Sequence, residues 1–415
     1  MPGSAWSFRV LAAAAAATAL TACGSAGVIP QVLRGDVVPL SAGTLTARDV
    51  ASAQTAFGVD LLRAVCEQAA GENVLISPTS AAEALSLLYP AGRGQTAEAM
   101  RALLHLPEWS SEVVAAMGDH TRALDRLRYD GDPDDEDAPN SLQMSNRLWT
   151  ALGLEPDPRY LDGIATAFDA DVRALDFAGD PGGATDRINT TVAEDTRGII
   201  EKLFDEPLDD DTVAVLTNAL HLKARWADPF TDTQPHPFAA PSGEVTVDMM
   251  SGATGSMRVA DGWQAVELPY RDGTLAAIAV LPPEGTAPCA IDTAGLAGLA
   301  AAQSRPMGVR LPTMRIEQSH HLLEVLATLG LPIEGDYSAL GQDDLAISQV
   351  VQKSFLEVDE DGTEAAAATG VAVEATSLVV GAQKVVTFDR PFLFLLTDTE
   401  THSPLFITVV NDPSA

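Results

Sequence analysis

Residues 359–380 constrain this chain more than any other stretch. From Gly362 onward the side chains alternate with a period of two. Thr363, Ala365, Ala367, Thr369, Val371, Val373 and Ala375 share one face; Glu364, Ala366, Ala368, Gly370, Ala372 and Glu374 share the other. Successive side chains of a strand point to opposite faces, so the first set suits a core and the second suits water. Four consecutive alanines with Gly370 close behind make a poor permanent strand, because β-branched and aromatic residues normally fill such segments. Small residues suit a segment that slips between two existing strands without prying a sheet apart. A flexible Gly-Ala-Thr linker is the other reading, and this segment alone does not choose between them.

Its surroundings add to the case. Phe355-Leu-Glu-Val-Asp-Glu-Asp-Gly-Thr-Glu-Ala-Ala-Ala-Ala-Thr closely resembles the hinge of the serpin family. Further motifs follow in the family's order. Asn73-Val-Leu-Ile-Ser-Pro-Thr-Ser-Ala-Ala-Glu-Ala-Leu resembles its shutter signature, and Gly94-Gln-Thr comes after it. Asn146-x-Leu148-Trp149, Asp176-Phe177, Ile188-Asn189 and Thr196-x-Gly198-x-Ile200 match the middle of the family. Asn218-Ala-Leu-His-Leu-Lys-Ala-Arg-Trp-Ala-Asp-Pro-Phe, Met249-Met250, Phe388-Asp-Arg-Pro-Phe-Leu-Phe and Ser403-Pro-Leu-Phe complete the series. The resemblance spans roughly residues 49–413.

The resemblance implies an α+β fold of one domain, residues 48–415, with three β-sheets, about nine helices and an exposed reactive loop at about 363–387. It implies inhibition of a serine protease, or a cysteine protease, by a suicide mechanism. The protease attacks the loop, and the freed strand zips into the main sheet before the covalent acyl-enzyme is hydrolysed. Glu360, Gly362, Thr363, Glu364, Ala365, Ala366, Ala367 and Ala368 carry over as the hinge; Asn73, Ser77, Ser80 and Asn218 carry over as structural shutter residues. Family spacing from Gly362 places the scissile bond between Thr376 and Ser377, whereas counting back from Pro391 gives Val380-Gly381. No Arg or Lys lies near either bond, so an elastase-like or subtilisin-like target is expected, not a trypsin-like one. A serpin-fold binding or chaperone protein that does not trap proteases is the alternative. Gln352 stands where the family usually has histidine, and Thr313 where a lysine often meets the hinge glutamate, leaving Glu360 with Arg315 or no partner. The family implies a monomer.

Composition agrees with an exported, soluble domain. The 415 residues alone would favour two or three domains, and the resemblance overrides that prior. A hydrophobic content of 46% is ample for a core, while the net charge of −33 excludes a basic nucleic-acid surface. Residues 1–22 read as a signal peptide: a short start with Arg9, an apolar run from Val10 to Ala19, then Leu20-Thr-Ala-Cys. That ending resembles a lipobox, which implies lipidation of Cys23, anchoring to the outer face of the cell membrane and a flexible tether over residues 23–47; a plain secretory cleavage site with a chance cysteine is the other reading. Of the other cysteines, Cys66 lies on the apolar face of an expected helix and reads as a buried thiol, with pairing to Cys289 left open.

Helical patterns occupy roughly 49–70, 78–89, 95–104, 110–126, 159–168, 182–204 and 319–329. Strand-like runs include 213–222, 255–268, 275–281, 307–311, 347–358, 385–397 and 405–410. The acidic run from Asp130 lacks the ligand pattern and closing Glu of a calcium loop and reads as a solvated loop. No set of ligand-spaced Cys and His suggests a metal or cofactor. The sequence holds no Gly-x-Ser-x-Gly, His-Glu-x-x-His or Gly-x-x-x-x-Gly-Lys motif. His221, His236, His320 and His321 have no obvious nucleophile partner in sequence, although triads assemble in space rather than along the chain.

Overall fold

The computed structural model describes residues 28–132, 135, 137–363 and 384–415. Cys23, Glu364, Ala365, Ala366, Ala367, Ala368, Thr376 and Ser377 therefore lie outside the described residues, as does the expected signal peptide. The first half of the chain is mostly helical: β1 (Gln31–Leu33), α1 (Ala47–Gln68), β2 (Val74–Ile76), α2 (Pro78–Leu88), α3 (Gly94–Leu103), α4 (Ser111–Asp125), β3 (Ser141–Ala151), α5 (Pro158–Phe168), β4 (Val172–Leu175), α6 (Pro181–Asp195) and β5 (Ala214–Arg225). Strands dominate the second half: β6 (Asp232–Ala240), β7 (Gly243–Ser251), β8 (Thr254–Ala260), β9 (Trp263–Pro269), β10 (Leu275–Leu281), α7 (Thr293–Ala301), β11 (Arg305–Pro312), β12 (Met314–His321), α8 (Leu323–Thr328), β13 (Glu334–Asp336), β14 (Asp344–Ala346), β15 (Gln349–Val358), β16 (Gly362–Thr363), β17 (Val385–Thr387), β18 (Phe392–Asp398) and β19 (Pro404–Val410). Eight α-helices are thus present among the described residues, against about nine expected.

Local chemistry sets many boundaries. Thr46 and Asp49 form a reciprocal capping box at α1. Asp157 and Asp180 cap α5 and α6, each followed by a proline whose fixed φ suits the first helical turn. The expected helix 182–204 stops at Asp195, because Arg197 and Gly198 adopt left-handed backbone and turn the chain. The expected helix 319–329 begins later, at Leu323; Ser319, His320 and His321 continue β12 as a strand paired with β15. The run 255–268 is a hairpin of β8 and β9, broken by Asp261-Gly262 with both residues at positive φ.

Three sheets result. The main sheet has the order β1-β4-β3-β5-β16-β15-β12, and a ten-stranded sheet and the β13–β14 pair complete the set. Helix α2 is buried along its whole length between the two large sheets, packing on β3, β5 and β19. Cys66, expected as a buried thiol, is bonded to Cys289 with the Cα atoms 6.5 Å apart. It sits on the last turn of α1, only partly buried, where the turn at Pro288–Ala290 comes within reach. Residues 28–45, expected as tether, lie along the domain, because β4 and side chains of α4 and α5 take up their backbone donors.

Candidate functional site: a main sheet open at one end

β5 and β15 pair directly and in parallel from Gln349 opposite Val215 to Ser354 opposite Leu220. Beyond that point they part, and β16 occupies the gap. Gly362 lies opposite Arg225, and Thr363 lies opposite Ala224 on one side and Val358 on the other. The hinge has therefore placed two residues in the main sheet, antiparallel to both neighbours.

Every carbonyl of the turn that feeds this wedge has a donor. The Trp226 indole N–H reaches Asp359 O at 3.0 Å, Phe230 N–H reaches Glu360 O at 3.0 Å, and Trp226 N–H reaches Asp361 O at 2.9 Å. The Asp359 carboxylate accepts from the N–H groups of Asp361 and Gly362, both at 2.9 Å. Burial pushes its pKa up to about 6, partly opposed by those two donors, with Asp361 and Glu360 adding repulsion. A Cβ on Gly362 would fall on the Ala224 carbonyl, so close strand approach requires glycine there.

Thr363 is 1% exposed, and its hydroxyl bonds to the buried Tyr270 hydroxyl. Tyr270 stacks on Trp226, ring centroids 4.4 Å apart. Glu360 is bonded by the Thr233 hydroxyl rather than by Arg315, which instead pairs with Glu357 at 2.7 Å and lies over the Phe355 ring. Thr233 and Tyr270 escape sequence reading because each is far along the chain from the hinge.

Below the wedge, a polar network crosses the β5–β15 seam. Asn146, Asn218 and Gln352 sit level on β3, β5 and β15. The Gln352 amide donates to Asn218 Oδ1 at 2.6 Å and to Ser77 O at 3.0 Å, while its oxygen accepts Ser77 N–H at 2.9 Å. Ser80 donates to Asn146 Oδ1 at 2.6 Å and accepts from Asn218. Ser77, Ser80 and Asn218 thus meet; Asn73 does not join them. Its side chain instead holds the backbone of Asn411 and Asp412 after β19.

The network continues where sequence gave no signal. Asn146 Nδ2 donates to Glu83 at 3.0 Å, Glu83 lies 3.4 Å from His120 Nδ1, and His120 Nε2 lies 2.7 Å from the Ser403 hydroxyl. These three have the order of a catalytic triad, but the side chains of Glu83 and His120 are 9% and 1% exposed. The adjoining cavity of about 10 Å³ admits no more than a single water. The arrangement is a buried relay, closed to substrate. His320 bonds to Leu75 O at 3.0 Å, and burial lowers the His221 pKa to about 4. His320 therefore links β12 to β2, and the His221 imidazole is neutral at pH 7.

An α+β domain whose seven-stranded main sheet takes in Gly362 and Thr363 between β5 and β15 is the architecture the hinge resemblance implies. The model of the serpin (serine protease inhibitor) family matches residues 52–413, and the chain belongs to that family. An uncharacterised serpin-like protein of Thermococcus kodakarensis is 33% identical over 88% of this chain and 86% of its own. The leukocyte elastase inhibitor of Bos taurus is 30% identical over 88% and 99%. Among solved structures, the native thermophilic serpin tengpin superposes with a TM-score of 0.78 at 24% identity, covering 92% of this chain and all of that one.

Proposed function

We propose that this serpin inhibits serine proteases as a suicide substrate. One observation carries the reading: Gly362 and Thr363 already stand between β5 and β15, at the head of a segment whose inward residues are all small or apolar. Cleavage beyond Ala375 would free that segment to continue downward. Each step then exchanges a parallel β5–β15 pair for an antiparallel strand bonded on both sides. Small side chains at Ala365, Ala366, Ala367 and Ala368 lower the barrier to opening the sheet, which has to outrun deacylation. The bond Thr376–Ser377, flanked by small and apolar residues, suits an elastase-like or subtilisin-like protease. Cys23, acylated at the lipobox, would hold the molecule outside the cell.

Wild-type protein and Thr363→Arg are incubated with elastase, subtilisin and trypsin, then run on denaturing gels. Wild type should give gel-stable complexes with elastase and subtilisin and little with trypsin. Arginine at the Thr363 site would be buried at a cost of several kcal/mol, so the variant should be cleaved without trapping. Full trapping by Thr363→Arg would refute insertion; a complex with trypsin alone would refute the target class.

A further inference from the structure

The strap formed by residues 28–45 is fixed to the domain along its backbone: Gln31 and Leu33 pair with Ala174 and Val172, Asp36 N–H and Val38 N–H donate to Asp162 and Thr166 of α5 at 2.8 and 2.9 Å, and Val28 and Leu33 pack on two different core clusters. It also leaves Ile29, Val32, Val37, Val38 and Leu40 exposed, Ile29 to 88%. With Leu152, which follows β3 nearby, these make up six of the nine large exposed apolar side chains among the described residues. Scattered apolar exposure needs no explanation, but this concentration does.

The strap also has a fixed place. Gln31 lies level with Ala174, Thr150 and Ala214, at the far end of β5 from Arg225 and the hinge. At roughly 3.3 Å per residue, about 35 Å separates the two ends. β1 runs antiparallel to β4, so its N-terminal end points away from the hinge pole. Cys23 precedes Val28 by five residues, a reach of at most about 18 Å even when fully extended.

We infer that the exposed apolar side chains of this strap rest on the lipid bilayer, seating the molecule base-down with its hinge pole outward. The inference rests on the lipid-anchor reading of Cys23. So short a connection holds the start of the strap, Ile29 and Val32, close to the bilayer surface. A second copy is disfavoured as occupant, since two chains of charge −33 repel one another. Among the described residues no helix is long and apolar enough to cross a membrane.

The test uses the full-length chain, produced with its own leader and reconstituted into zwitterionic phosphatidylcholine vesicles, whose surface does not repel a chain of charge −33. With Cys23 acylated and Cys66 bonded to Cys289, single cysteines in Val32→Cys, Val37→Cys and Ser242→Cys take up a nitroxide label; Ser242 is exposed beside Arg315, towards the hinge end. On vesicles the labels at 32 and 37 should collide more with oxygen and less with a water-soluble nickel chelate than in lipid-free solution, while the label at 242 should not change. Labels at 32 and 37 that stay aqueous, with mass spectrometry showing lipid on Cys23, overturn the seating alone. Absence of that lipid overturns the anchor and the seating with it.

Discussion

Gln352 bridges the seam between β5 and β15 with its side chain, beside the backbone pairing of the two strands. Its amide satisfies both backbone groups of Ser77 and the oxygen of Asn218, and it is fully buried. Gln352→Ala would strand these partners out of water, each at roughly 1–3 kcal/mol. The native form should therefore melt at lower temperature and lose activity faster when warmed; an unchanged melting point would mean the seam is held elsewhere. The sequence marked Gln352 as a departure from the family but not its role, which depends on partners 275 and 134 positions away. Asp359 makes a second, pH-dependent case. Its pKa is raised from 3.8 to about 6, so the folded chain holds the proton more tightly than an unfolded one would. The stability it contributes is full below pH 3.8 and is lost as pH rises through about 6. Asp359→Asn keeps the side-chain acceptor and removes the charge. Relative to wild type, the variant should gain stability progressively from pH 4 to 7, read from melting curves across that range.

Elements were legible where their signals are local. The periodicities read at 49–70 and 159–168 fall within two residues of α1 and α5 at each end, and the apolar run around residue 216 becomes β5, buried over all but its last residue. Errors arose where a short-range signal was present but outweighed, as when Asp261-Gly262 split a continuous strand pattern into β8 and β9. They also arose where an element depends on a distant partner, as at His320, which is a strand residue because β15 pairs with it. The disulfide belongs to the same class, since 223 positions separate its cysteines. It ties α1 to the turn before α7. Replacing both cysteines by serine frees a long loop in the unfolded chain and should cost about 2–4 kcal/mol. The check is a denaturant titration of wild type, with and without reductant, against the double-serine variant; coincident curves would show the bond to be energetically idle.

The whole molecule is a domain whose main sheet is closed along the lower seam and wedged at the top. Six parallel residue pairs, from Gln349–Val215 to Ser354–Leu220, stand in the path of further insertion. On the proposed mechanism, opening them is unfavourable until a new strand is supplied, and connection of the loop to β17, which pairs with β11, withholds that strand. Severing the loop between Ala375 and Gly381 removes the restraint. The freed strand can then gain pairing on both sides, and Ala365, Ala367, Thr369, Val371, Val373 and Ala375 can enter the core. In a domain of this size each kcal/mol moves the melting point by roughly 1–2 °C, so a net gain of several kcal/mol moves it by about 5–10 °C. Limited proteolysis of the loop, followed by calorimetry of the nicked but associated chain, should therefore show a large upward shift. An unchanged melting point would mean that the wedge at Thr363 is a resting place rather than the start of insertion, and would favour a binding role for this serpin over trapping.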